Sequence, residues 1–251
     1  MINQLPSSGT PPEPTEYGCD TSGMLVVHRM FRYLFTDAPR LVREVGAGDT
    51  RRASVVCDHI AEIADGLHNH HVTEDETLWD DLESRARSCR MHVEQMKAQH
   101  ARVAELLDKL RPALGAWRHT AGSADAETTA RILDEIRSAL FRHLGDEETL
   151  ILPTAATVMT QREWDAFGER GLASVPKSRL MIQLGFLLQP FSPSERDTWM
   201  KANLPAFARV LYRLFGRRQF EAHYERVYGI PPATWPGSAG AHGGPPSRET
   251  S

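Results

Sequence analysis

From about residue 20 to residue 229, apolar residues recur at intervals of three and four, and no run alternates at the period of two that a half-buried strand requires. β-branched residues are scattered rather than clustered, so the pattern predicts helix throughout and no sheet. Ser22 is placed to cap a first helix ending at Gly46-Ala47-Gly48, and Asp49 to cap a second reaching about Ala86. A third is expected from about Ser88 to Trp117. Beyond Gly122 and Ser123 comes a fourth, capped near Asp125 and stopped or kinked by Pro153. Four long helices with short connections predict an all-α fold, an up-down-up-down four-helix bundle over residues 21–158. Capping boxes at Thr160/Glu163 and Ser192/Glu195 predict shorter helices afterwards, as a C-terminal helical extension over 159–229. Pro6, Pro11, Pro12 and Pro14 mark 1–20 as a flexible leader, and the Pro and Gly residues of 230–251 mark a disordered tail.

Composition narrows the classes. The chain has 251 residues, 41% of them apolar, enough for a core. Its 29 Lys+Arg against 33 Asp+Glu argue against a nucleic-acid partner, which would call for a basic face. Cys19, Cys57 and Cys89 are odd in number and form no C-x-x-C, which excludes a disulfide framework or a zinc ribbon. Cys57 and Cys89 read as small buried side chains. The longest apolar segment, around Leu180 to Leu188, is too short to span a bilayer, and the N-terminus lacks the basic and apolar regions of a signal peptide. No membrane partner and a cytoplasmic, reducing setting are therefore expected.

The unusual count is 11 histidines. Met24, His28, Phe31 and Phe35 share one stripe of the first helix, and Ile63, Leu67, His70, Glu74 and Leu78 one of the second. Met96, His100, Val103, Leu107 and Leu110 line up in the third; Ile132, Ile136, His143, Glu147 and Leu150 do so in the fourth. Each long helix thus turns a histidine toward the core, and two add a Glu one turn later. His28 to His70 is 42 residues and His100 to His143 is 43, so the sites form two copies of one helical hairpin. The motif H-x-x-x-E-[DE]-x-x-Φ-Φ occurs at His70 and again at His143. A register shifted by one, to His71 and Asp75, aligns as well, and Asp75 and Glu148 compete with Glu74 and Glu147 as inward carboxylates. Four imidazoles and two carboxylates buried together would pair with one another or hold metal. Nitrogen and carboxylate donors without thiolate suit iron or manganese, and six of them suit two adjacent ions, each Glu spanning both.

These residues resemble the hemerythrin-like, or HHE cation-binding, domain, a four-helix bundle with a non-haem di-iron centre. The resemblance implies that His28, His70, His100 and His143 are terminal ligands of two iron ions, oxo- or hydroxo-bridged, and that Glu74 and Glu147 bridge. Oxygen-carrying hemerythrins have a second histidine one turn before the third-helix ligand, where this chain has Met96, and an Asp five residues after the last histidine, where it has Glu148. Both departures point from reversible oxygen carriage toward reaction with O2, peroxide or NO. The implied activity is oxidase-, peroxidase- or catalase-like, with an electron donor unidentified. The alternative is a non-enzymatic O2, NO or iron sensor signalling through its C-terminal helices.

His68 and His71 lie about 160° and 100° round the helix from His70 and cannot all face one ion. His68 reads as part of a wet cluster, His71 as a spare ligand or an outer donor. His59 is too far along the axis, and His92, His119, His223 and His242 read as surface or tail residues. Arg213, Arg217 and Arg218 among Phe207, Leu211, Tyr212, Leu214, Phe215 and Phe220 read as an amphipathic helix.

Overall fold

The structure, a computed structural model, describes residues 17–232, which form helices and, among the described residues, no strand. Residues 1–16 and 233–251, which hold most of the expected leader and tail, lie outside the described residues. The chain divides into two compact units, the first ending at Lys177 and the second starting at Ser178.

In the first unit the long helices are α1 (Ser22–Arg43), α2 (Thr50–Thr77), α4 (Arg90–Thr120) and α5 (Ser123–Leu150); the short ones are α3 (Trp79–Arg85), α6 (Leu152–Val158) and α7 (Gln161–Ala173). α1 packs against α2 and α5, and α4 against the same two, which is the ring of neighbours of an up-down-up-down bundle. Asp49 caps α2 as expected, its carboxylate accepting from the Arg52 N–H. Polar ties reinforce the seams: Arg43 donates to Glu127 and Asp134 across α1 and α5, and Arg118 to Asp58 and Ser54 across α4 and α2.

The second helix does not run unbroken to Ala86. It breaks at Leu78 (φ −102°, ψ −42°), and α5 breaks at the equivalent Ile151 (φ −104°, ψ −56°), ahead of Pro153. The bends turn α3 and α6 across one end of the bundle, where Trp79, Leu82, Leu152 and Ala155 close an apolar cluster with Met24, Val93 and Met96. Burying Trp79 and Leu82 completely offsets the lost helical hydrogen bonds.

The first unit also extends beyond both edges expected for the bundle. Gly18 N–H donates to Met159 O at 2.8 Å and Cys19 N–H to Ala156 O at 3.1 Å, which orders residues placed in the leader. The Thr160/Glu163 capping box starts α7 as expected, but α7 packs on α2. Arg85 clamps Glu163 through two hydrogen bonds, and Arg170 pairs with Glu76.

The second unit holds α8 (Leu180–Leu188), α9 (Pro193–Asn203, with the expected Ser192/Glu195 capping box), α10 (Ala206–Leu211), a π turn (Tyr212–Gly216) and α11 (Arg217–Tyr228). α8 crosses α11 at Gly185, where a Cβ would stand 2.2 Å from the Phe220 ring. The expected amphipathic stripe is split. Tyr212 and Phe220 are buried, while Phe207, Leu211, Leu214 and Phe215 are exposed. The π turn adds a residue to the helical repeat and so aligns Tyr212 with Phe220, which an unbroken α-helix would not. His223, expected at the surface, is buried, with its ring edge-on to Phe186.

Candidate metal centre

α1 brings in His28, α2 His70 and Glu74, α4 His100, and α5 His143 and Glu147. All are buried except His70, whose side chain is 11% exposed. The four-residue spacing stacks His70 Nε2 3.1 Å from Glu74 Oε1 within α2, and His143 Nε2 3.6 Å from Glu147 Oε2 within α5. Helix packing adds the cross-contacts: Glu74 Oε2 is 3.4 Å from His100 Nε2, and Glu147 Oε2 is 3.3 Å from His28 Nε2. Each carboxylate therefore sits between a histidine of its own helix and one of a neighbouring helix. His100 Nε2 and His143 Nε2 are 3.2 Å apart.

The competing carboxylates take a different place. Asp75 Oδ1 accepts from His100 Nδ1 at 2.8 Å and from the Trp79 indole at 2.6 Å. Glu148 Oε1 accepts from His28 Nδ1 at 3.0 Å, and both its oxygens accept from Arg32. Gln99 Oε1 accepts from His143 Nδ1 at 3.3 Å. With Nδ1 tied to these outer acceptors, the Nε2 edges of the three rings face Glu74 and Glu147, the orientation a metal-ligating imidazole needs.

The titration of the group reflects its crowding. Burial opposes charge on His28, but Glu147 and Glu148 outweigh it and hold the imidazole up at about 9; at His100, Asp75 and Glu74 do the same, again to about 9. His70 and His143 are pushed down to about 3, by burial first and then by neighbouring imidazolium charge. His71 falls well below its ordinary 6.5 through burial and then His100. Burial and the facing Glu147 raise Glu74, whereas His28 outweighs burial to lower Glu147. A cation entering here displaces protons, so its affinity weakens as the pH is lowered.

Hydrogen bonding shows that the residues fit a cation. Both carboxylate oxygens of Glu74 and of Glu147, and the Nε2 atoms of His28, His70 and His71, are buried without a hydrogen-bond partner. So many orphaned acceptors are costly in a protein core unless something cationic satisfies them. Donor atoms fall into two overlapping sets, each within 4.8 Å: His71, Glu74, His100 and His143; and His28, His70 and Glu74. The cluster formed by α3 and α6 seals one end, one turn away on every helix: Met24 precedes His28, Met96 precedes His100, Leu78 follows Glu74 and Ile151 follows Glu147. Between α2 and α4 a cavity of about 160 Å³ opens outward past His68, Asp75 and Lys97, with His71 and His100 at its inner wall.

The structure thus brings together all six residues singled out from the sequence. It adds His71 to the buried group and leaves His68 exposed at the cavity mouth. The signal for His71 was present in the His70-His71 doublet, but a single helical stripe cannot hold both. Cys57, Cys89 and Met96 are buried, as read. Among the described residues no helix is long and apolar enough to cross a membrane.

No curated protein and no solved structure matches the chain. The hemerythrin HHE cation-binding domain does match, over residues 21–155, a span that takes in all four long helices and every donor described above. With more than half its length inside that match, the chain belongs to the hemerythrin HHE cation-binding family.

Proposed function

We propose that this protein is a non-haem di-iron protein that binds and activates O2, peroxide or NO. The observation that carries the reading is the placement of Glu74 and Glu147. Each lies between histidines of two helices, with its oxygens lacking any hydrogen-bond donor. In this reading His28 and His70 are terminal ligands on one side, His100 and His143 on the other, and the two glutamates bridge. Iron bound there supplies Lewis acidity and electrons for oxidase-, peroxidase- or catalase-type chemistry.

The chain's own contribution is positional. Asp75, Glu148 and Gln99 hold the Nδ1 protons and fix the ring planes. Met24, Met96 and Trp79 keep bulk water from the sealed end. The α2–α4 cavity, at about 160 Å³, has room for a few waters at roughly 30 Å³ each, so it admits O2, peroxide or NO and rejects a large organic substrate.

The test is iron analysis of the reconstituted chain, with absorption spectra of the anaerobically reduced protein before and after O2 or peroxide. Two irons per chain, an oxidised-state band and repeated peroxide turnover are expected; a chain that takes up no iron refutes the reading. A sensing role is the second reading, favoured by the separate compact unit from Ser178 onward. It requires stoichiometric binding without turnover.

A further inference from the structure

The two hairpins differ at the residue after the second-helix histidine. In α5 that residue is Leu144, an ordinary core side chain; in α2 it is His71, only 5% exposed. Its ring stacks on His100 (centroids 4.1 Å apart, 11° between planes) and stands edge-on to His143 at 4.8 Å. Its Nε2 is buried without a hydrogen-bond partner, and its donor atom lies within 4.8 Å of those of Glu74, His100 and His143. α4 offers no further nitrogen on this side, because one turn before His100 stands Met96, enclosed in the apolar cluster. A buried polar atom on a ring beside three donors, and satisfied by none of them, is costly unless it shares their cation.

Resting on the di-iron reading, we infer that His71 is a fifth histidine ligand, and that α2 serves both ions, His70 on the His28 side and His71 on the His100/His143 side. Three imidazoles and Glu74 then surround one ion, while two imidazoles hold the other with the glutamates. The shortage of ligands left by Met96 moves from the His100 ion to the His28 ion. His71 also lines the cavity between α2 and α4, so a small molecule entering there meets the three-imidazole ion first.

The test compares the full-length chain with His71→Leu, which copies Leu144, and with His71→Gln. Each is reconstituted anaerobically with ferrous iron; iron per chain, the Mössbauer spectrum and the iron-induced rise in thermal midpoint are measured. The expected result is two spectroscopically distinct irons in the parent chain. The His71→Leu variant should lose one of these signals or bind that iron at least about tenfold more weakly. Its metal-free form should keep the helical circular dichroism of the parent, and His71→Gln should give an intermediate result. Full loading with unchanged Mössbauer parameters in His71→Leu overturns the inference while leaving the di-iron reading intact; no iron in the parent chain overturns that reading itself.

Discussion

In the hairpin of α1 and α2 the inward histidine His70 is followed by His71; in that of α4 and α5, His143 is followed by Leu144. Almost everything else is paired between the two. Each second helix carries His, then Glu one turn later, then an acidic residue, then a break at the fourth residue after the Glu. The acidic residues even act reciprocally. Asp75 of the first hairpin accepts from His100 of the second, and Glu148 of the second accepts from His28 of the first. The comparison teaches that a duplicated helical plan does not give two equal sets of donors. The added nitrogen of His71 and the packing of α7 both fall on α2, which also forms one wall of the cavity it shares with α4. The differences at Asp75 and Glu148 follow the same line: Trp79 braces the first, while Arg32 clamps the second through both oxygens.

The largest effect belongs to what the hairpins share. Glu74→Ala and Glu147→Ala should each lower iron well below two per chain by metal analysis, because in the proposed di-iron reading each removes a bridging carboxylate; full loading in either variant breaks the symmetry and the bridging assignment with it. Next comes the point of difference. In denaturant unfolding of the metal-free chain, Leu144→Ala should cost about 2–5 kcal/mol as a buried cavity. His71→Leu should cost nothing, since it removes a buried acceptor that lacks a partner. Equal losses at both sites would make His71 a packing residue.

A smaller effect is expected one layer out. Asp75→Asn and Glu148→Gln should weaken iron binding by about 10- to 100-fold in a competition titration with a chelator. The Glu148 variant should show the larger change, because it also leaves Arg32 without its carboxylate partner. The smallest effect lies where α7 is tied to the first hairpin. Glu163→Ala removes half of a capping box and should cost about 1 kcal/mol in thermal or denaturant unfolding. The Arg85 guanidinium, then the Thr160 N–H and hydroxyl, hold the Glu163 carboxyl down at about 2 from an ordinary 4.5. A lowered folded-state value means the contribution is complete above about pH 4.5 and fades as the pH falls toward 2. The parent and variant stabilities should therefore converge in acid and stay parallel at neutral pH.

Much of the fold was legible because helix periodicity is local. Stripes at three and four residues, Asp49, the two capping boxes and Pro153 each act within a turn of their own position, so their effects need no knowledge of the partner helix. The break at Leu78 was not legible. No Pro or Gly marks it, and what drives it is the burial of Trp79 and Leu82 against residues from α1, α4 and α6. The split stripe in the second unit was hidden for a related reason: a π turn changes the register without leaving a signature in composition.

The sequence by itself determined that the inward side of every long helix carries a histidine, and that two glutamates follow one turn later. The four-residue step of the helix sets those positions whatever the tertiary context. Only the tertiary structure decided which carboxylates turn inward and which stay outside on the far ring nitrogens. It also decided that His71 is buried beside a nearly buried His70. In a four-helix ring each helix faces two neighbours roughly at right angles, and successive residues on a helix differ by about 100°. Adjacent side chains can therefore point into two different seams of the same core: His70 toward His28 of α1, and His71 toward His100 of α4.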